Sequence, residues 1–140
     1  MDELHGTMEV IAACILTAAF AVWCACDDDL QIAMNKPVKH VRQWLLRASV
    51  VTLLCVVIGL PWLAIGLAGL FSAVFRYALN RLRGLSPWYM SASNYYDAFF
   101  LFLVNVGTVE AEEWNINGAG RIAYAVELVV FVAVLLMHVL

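Results

Sequence analysis

The sequence predicts an all-α membrane protein with three transmembrane helices and a short re-entrant helix and loop between the second and the third. Three observations lead there. Apolar residues make up 64% of the chain and charged residues 14%, with a mean hydropathy of +0.85; a soluble core of this size cannot absorb that much apolar surface, so lipid or other subunits must cover it. The apolar residues gather in runs able to cross a bilayer, which takes about 20 residues at about 1.5 Å of rise each. One further apolar stretch, 95–109, is too short to cross and leads directly into a cluster of glutamates.

The first run, 8–26, is preceded by Asp2, Glu3 and Glu9 and followed by Asp27, Asp28 and Asp29. A secretory signal opens with basic residues and ends at a small-residue cleavage site, so this run is expected to stay as an anchor. The stretch 27–48 interleaves Lys36, Lys39, Arg42 and Arg47 with Val38, Val41, Trp44 and Leu45. That pattern predicts either a short amphipathic helix in the headgroup layer or a solvated connector. The second run, 49–75, is longer than one span needs and carries Pro61 at its middle. It is read as one helix that tilts or kinks, with a tight hairpin centred on Gly59-Leu60-Pro61-Trp62 as the alternative. Segments as short as 95–109, here containing Asp97 and Asn105, are interfacial or re-entrant rather than spanning. Glu110, Glu112, Glu113 and Trp114 come next, then a turn-rich break from Asn115 to Gly120. The last run, from Arg121 or Ile122 to Leu140, is long enough to span and holds Glu127. The chain divides into an anchor with its basic connector, 1–48, and a second module, 49–140.

The net charge of −3 comes with no broad basic face, which excludes nucleic acid as a partner. No nucleophile stands beside a base and no cofactor fingerprint occurs, so an enzyme is not expected. Cys14, Cys24, Cys26 and Cys55 lie in or beside apolar stretches, where a thiol packs as a small apolar group; oxidation or metal chemistry at Cys24 and Cys26 is the alternative. The connector holds four of the eight Lys and Arg and the N-terminal tail holds none. The positive-inside rule then puts the connector in the cytoplasm, the N-terminus outside and, after three spans, the C-terminus in the cytoplasm, in a cell inner or plasma membrane.

The order of a short helix stopping halfway and returning through a loop between two full spans resembles the pore domains of potassium-channel-like tetrameric cation channels. In that family a pore helix of the kind Asp-Ala-Phe/Tyr-Phe leads into Thr-Val-Gly-Tyr-Gly-Asp, and a Gly-Arg pair opens an inner helix that often carries a Glu. Here Tyr95-Tyr96-Asp97-Ala98-Phe99-Phe100 is followed by Thr108-Val109-Glu110-Ala111-Glu112-Glu113, and then by Gly120-Arg121 with Glu127 six residues on. The resemblance implies a homotetramer with Thr108 to Glu113 as filter and Asp97, Asn105, Trp114 and Glu127 as its support. The filter is rewritten. Glu110 and Glu112 stand where glycines let the backbone turn its carbonyls toward the ion, and Ala111 replaces the bracing tyrosine, so a potassium-selective carbonyl filter is not expected. Four copies would instead present rings of carboxylates from Glu110, Glu112 and Glu113, hard oxygen ligands suited to Ca²⁺ or another cation. Crowded carboxylates raise one another's pKa, so convergence calls for a bound cation or for Arg121. The alternative is an acidic loop in solvent.

Outside the loop, Glu127 is the most informative residue, because an ionisable group in a spanning helix faces a protein interior, a pore or a partner. Arg121 is not on its face by simple spacing, so a cation from a neighbouring chain is the more natural partner. Asp97 is placed to cap the short helix, and Asn105 to hydrogen-bond across a subunit boundary. Trp62, Trp88, Trp114, Tyr89, Tyr95 and Tyr96 fit an aromatic belt, and His138 lies at a helix end. The last helix lacks Gly and Pro beyond Ile122, so it has no evident gating hinge. The expected function is a small oligomeric cation channel-like protein with a glutamate-lined filter. The rivals are a non-conducting accessory subunit of a larger membrane complex and a permeabilising protein of the phage holin kind.

Overall fold

A computed structural model describes residues 2–37, 40–91, 95–106 and 115–139. These form five helices: α1 (Asp2–Ala33), α2 (His40–Val57), α3 (Leu63–Leu82), α4 (Tyr95–Val104) and α5 (Ile116–Val139). Four of them, α1, α2, α3 and α5, are long and apolar enough to cross a membrane, one more than the three spans expected. The difference lies in the second run, which is not one kinked helix. Gly59 adopts φ 75°, a left-handed conformation that costs glycine little, and the amides of Gly59 and Leu60 fold back onto the carbonyls of Val56 and Cys55 at 3.0 and 2.9 Å. This cap closes α2, and Pro61 just beyond it bars continuation. The break falls where the hairpin alternative centred it, but both arms are full-length helices. Asn35 and Gly84, at φ 52° and 67°, close α1 and α3 in the same way.

The basic connector is likewise shorter than expected. The α1 helix continues through Asp27, Asp28 and Asp29 to Ala33, and Arg42, Trp44 and Arg47 belong to α2. The module boundary at 48/49 therefore falls inside a helix. The two modules pack against each other, since Val10 and Ala13 of α1 share a core with Val51, Cys55, Leu63, Leu67 and Val134.

Pairwise contacts set the helix directions. Val10 and Ala13 lie with Leu63 and Leu67, and Phe20 packs on Phe71 at 5.6 Å, so α1 and α3 run parallel. Asp28 meets Arg47, which turns α2 the other way. On α5, Val134 packs on Gly66 and Glu127 on Gly69, so α5 is antiparallel to α3. The bundle is thus up-down-up-down, with residues 2 and 139 at the same end. The C-terminus was expected on the side opposite the N-terminus; a fourth span brings it back.

The short helix α4 and the segment leading to it pack against the long helices. Irregular backbone at 83–91 leads in beside α5, where Met90 is buried with Phe100, Leu101, Ala119 and Ala123. Tyr96, at the start of α4, reaches Glu127, while Asn105, just past its end, bonds Asn115 just before α5. Since Glu127 lies eleven residues, about 16 Å of rise, beyond Ile116, α4 runs from the bundle interior toward the end of the bundle.

Candidate functional site

The α3 helix carries Ser72, Arg76 and Asn80 at intervals of four, which puts three polar side chains on one face of a helix that is otherwise mainly apolar. Arg76 and Asn80 are buried, as is Glu127 on the facing helix α5. Gly69, one turn before Ala73 on α3, permits this meeting: a Cβ there would stand 2.7 Å from the carbonyl oxygen of Glu127. The two helices approach closely enough for short side-chain bonds across them.

At the centre Arg76 holds Glu127 in a two-pronged pair. Its Nη2 donates to Oε1 at 2.9 Å and its Nη1 to Oε2 at 3.1 Å. The Ser72 hydroxyl donates to the same Oε1 at 2.7 Å, and the Tyr96 hydroxyl does so at 2.8 Å. Fork-on-carboxylate geometry is the arrangement in which a buried ion pair best recovers its lost hydration. The Arg76 guanidinium also lies 5.4 Å from the ring centre of Tyr96 and 5.0 Å from that of Tyr124, so aromatic faces replace more of the missing water.

Asp97 adds a second carboxylate. Its Oδ1 is 3.7 Å from Arg76 Nε, and its Oδ2 accepts the Ser91 amide proton at 2.9 Å. Asp97 does stand in the first turn of α4, where a carboxylate opposes the helix dipole. The amide it is seen to hold, however, belongs to the incoming segment. Asn80 secures that segment from the other side, donating to the carbonyls of Pro87 at 3.1 Å and Tyr89 at 2.9 Å, and the Tyr124 hydroxyl donates to Pro87 at 3.0 Å. Irregular backbone packed against apolar helices needs such partners, because its polar groups have none of a helix's own.

Of the residues expected to support a filter, Asp97 and Glu127 come together around Arg76. Asn105 lies elsewhere, and its bond stays within the chain: its Oδ1 accepts from the Asn115 amide at 2.7 Å. Asn115 in turn caps α5, accepting the Gly118 amide proton at 2.8 Å. Thr108, Val109, Glu110, Ala111, Glu112, Glu113 and Trp114 lie outside the described residues. Among the described residues no three His, Cys, Asp or Glu side chains gather as a metal site would require. Arg121, considered as a counter-charge for the loop, stacks over Trp88 at 5.7 Å.

The partner of Glu127 in this chain is therefore Arg76. Ser72, Asn80 and Tyr124 also escaped the sequence reading; no signal pointed to Tyr124, and the four-residue spacing of Ser72, Arg76 and Asn80 was the one that could have found the other two. Taking 49–75 as one helix hid it, since Arg76 then fell just past a helix end instead of inside a span.

No protein-family model matches the chain, and neither a curated protein nor a solved structure shows significant similarity to it.

Proposed function

We propose that this helical membrane protein, with four candidate spans, is a non-conducting subunit that packs against other proteins in the bilayer. The observation that carries the reading is the saturation of Glu127. Both carboxylate oxygens are taken within the chain by Arg76, Ser72 and Tyr96, and a carboxylate so held is a structural clamp rather than a stop on an ion path. The α2 helix supports it from outside: Val51 and Cys55 are its buried residues, while Val41, Trp44, Leu45, Leu46, Leu53 and Val57 face outward. That leaves a long apolar face for a neighbour.

A glutamate-lined cation path is the second reading, favoured by the tie between Asn105 and Asn115. The tie brings residues 105 and 115 together on either side of the stretch whose sequence carries Glu110, Glu112 and Glu113, and a ring of such carboxylates around an axis would attract cations.

Orientation belongs to the same proposal. Lys36, Arg42, Arg47, Arg76, Arg81, Arg83 and Arg121 lie toward one end of the bundle, by the helix directions above, and no Lys or Arg occurs in 2–9, 57–63 or 132–139 at the other. That end faces the cytoplasm, with residues 2 and 139 outside.

The deciding experiment is the mass of the purified protein in nanodiscs beside cation flux from liposomes. A chain that passes no ions and co-purifies with a different membrane protein bears the first reading out. A conducting oligomer whose divalent block disappears in the Glu110→Gln/Glu112→Gln variant replaces it with the second. Reporter fusions at both ends check the orientation, and opposite signals from the two ends exclude it.

A further inference from the structure

We infer that the cleft between the C-terminal part of α1 and the start of α2 binds a phospholipid whose headgroup carries a primary ammonium beside its phosphate. The cleft has a volume of about 350 Å³ and is lined by Trp23, Asp27, Gln31, Arg42, Gln43 and Leu46, among others. It lies at the basic end of the bundle, where α1 passes from its apolar run into Asp27, Asp28 and Asp29. An end of an apolar run marked by three carboxylates is where headgroups would meet the helix.

Its charges are of both signs and are unequally engaged. Arg47 is consumed by Asp28 at 2.5 Å and by the face of Phe75, 4.6 Å from its guanidinium carbon. Arg42 is exposed and makes no ion pair among the described residues, so it is available to a phosphate. Asp27 is exposed on the opposing wall, and Trp23 beside it is 65% exposed. An acid next to an aromatic face suits an ammonium. A cation at one lip and an anion at the other match a zwitterion better than a purely anionic headgroup.

The amides of the cleft point the same way. A carboxylate only accepts, so Gln31 must present its Nε2 to Asp27, which it does at 2.7 Å. Gln31 then turns Oε1 toward Gln43, whose Nε2 donates to it at 3.3 Å. Gln43 Oε1 is left buried without a donor, and rotation of that side chain into the cleft would give it an ammonium N–H. Trp23 and Leu46 line the cleft itself and give the start of the acyl chains an apolar wall.

The test is native mass spectrometry of the full chain released from nanodiscs holding equal amounts of phosphatidylethanolamine, phosphatidylcholine and phosphatidylglycerol. Phosphatidylethanolamine is expected to be retained about tenfold over each of the others, because choline lacks an N–H and glycerol lacks the charge. Equal retention of all three, or preference for either of the others, overturns the assignment without any variant. Asp27→Asn is expected to abolish the preference over phosphatidylglycerol, and Arg42→Gln to weaken all three lipids; retention in both variants as in the parent chain overturns it as well.

Discussion

The two ends of the bundle are held together by different forces. At one end Val10, Ala13, Val51, Cys55, Leu63, Leu67 and Val134 interdigitate with no polar side chain among them. At the other, Arg76, Glu127, Asp97, Asn80, Ser72, Tyr96 and Tyr124 join α3, α4, α5 and the segment between α3 and α4. In lipid, apolar contact between helices wins little from leaving water, so the apolar end rests on close van der Waals fit. That fit serves for continuous helices, which satisfy their own backbone. It cannot hold the irregular stretch 83–91, whose free carbonyls need donors. The polar cluster sits where the backbone stops being helical, and its cost in desolvation is the condition for packing irregular backbone against the helices.

If this contrast is right, the largest loss comes from removing the one cation shared by two buried carboxylates. Arg76→Met is expected to destabilise the fold by about 3–5 kcal/mol, read as a lowered thermal midpoint in detergent. Because the penalty is the orphaned charge, Arg76→Met/Glu127→Leu is expected to recover a large part of it. A single variant as stable as the parent would break the comparison.

Gly69 tests the seam on which the cluster depends. Gly69→Leu forces side-chain atoms toward the Glu127 carbonyl, 2.7 Å from where even the Cβ would stand, and is expected to cost about 1–3 kcal/mol. It should also loosen the Arg76–Glu127 fork, visible as faster hydrogen exchange in 83–91. Overpacking confined to the apolar end would leave that exchange unchanged.

A smaller and more local effect is expected from Asn80→Ala. The Tyr89 carbonyl loses Asn80 as donor and Pro87 keeps only Tyr124, at about 1–2 kcal/mol, and faster exchange should be confined to 85–91. The smallest is Cys55→Ala in the apolar end, at about 1 kcal/mol, lowering the thermal midpoint with no change in exchange around Pro87. A Cys55→Ala effect as large as that of Arg76→Met would mean that fit, rather than charge, dominates both ends.

Much of the helical content was legible because a span announces itself locally. The runs 8–26 and 121–140 read correctly as membrane helices, and Asp97, Asn105 and Glu127 were each noticed as polar groups in apolar surroundings. Their partners were not legible. Nothing near Glu127 in the chain points to Arg76, which is 51 residues away. Nor does the local pattern around Asn105 show that its carbonyl oxygen meets an amide ten residues on. Reading 49–75 as one helix was an error of punctuation: Gly59 followed by Pro61 is a helix stop, and the hydropathy of the run outweighed it.

What the sequence by itself determined is that the chain belongs in a membrane, that its first and last apolar runs are helices, and that Asp97, Asn105 and Glu127 are too polar to face lipid. Those properties follow from transfer energies and backbone hydrogen bonding, which act residue by residue along the chain. Tertiary structure decided the fourth span's return of both ends to one side, the inward course of 83–91 and the outward course of α4, and the capture of Glu127 by Arg76. These depend on which helix faces meet across the bundle, and a close approach such as that of Gly69 to Glu127 is fixed by packing among distant segments.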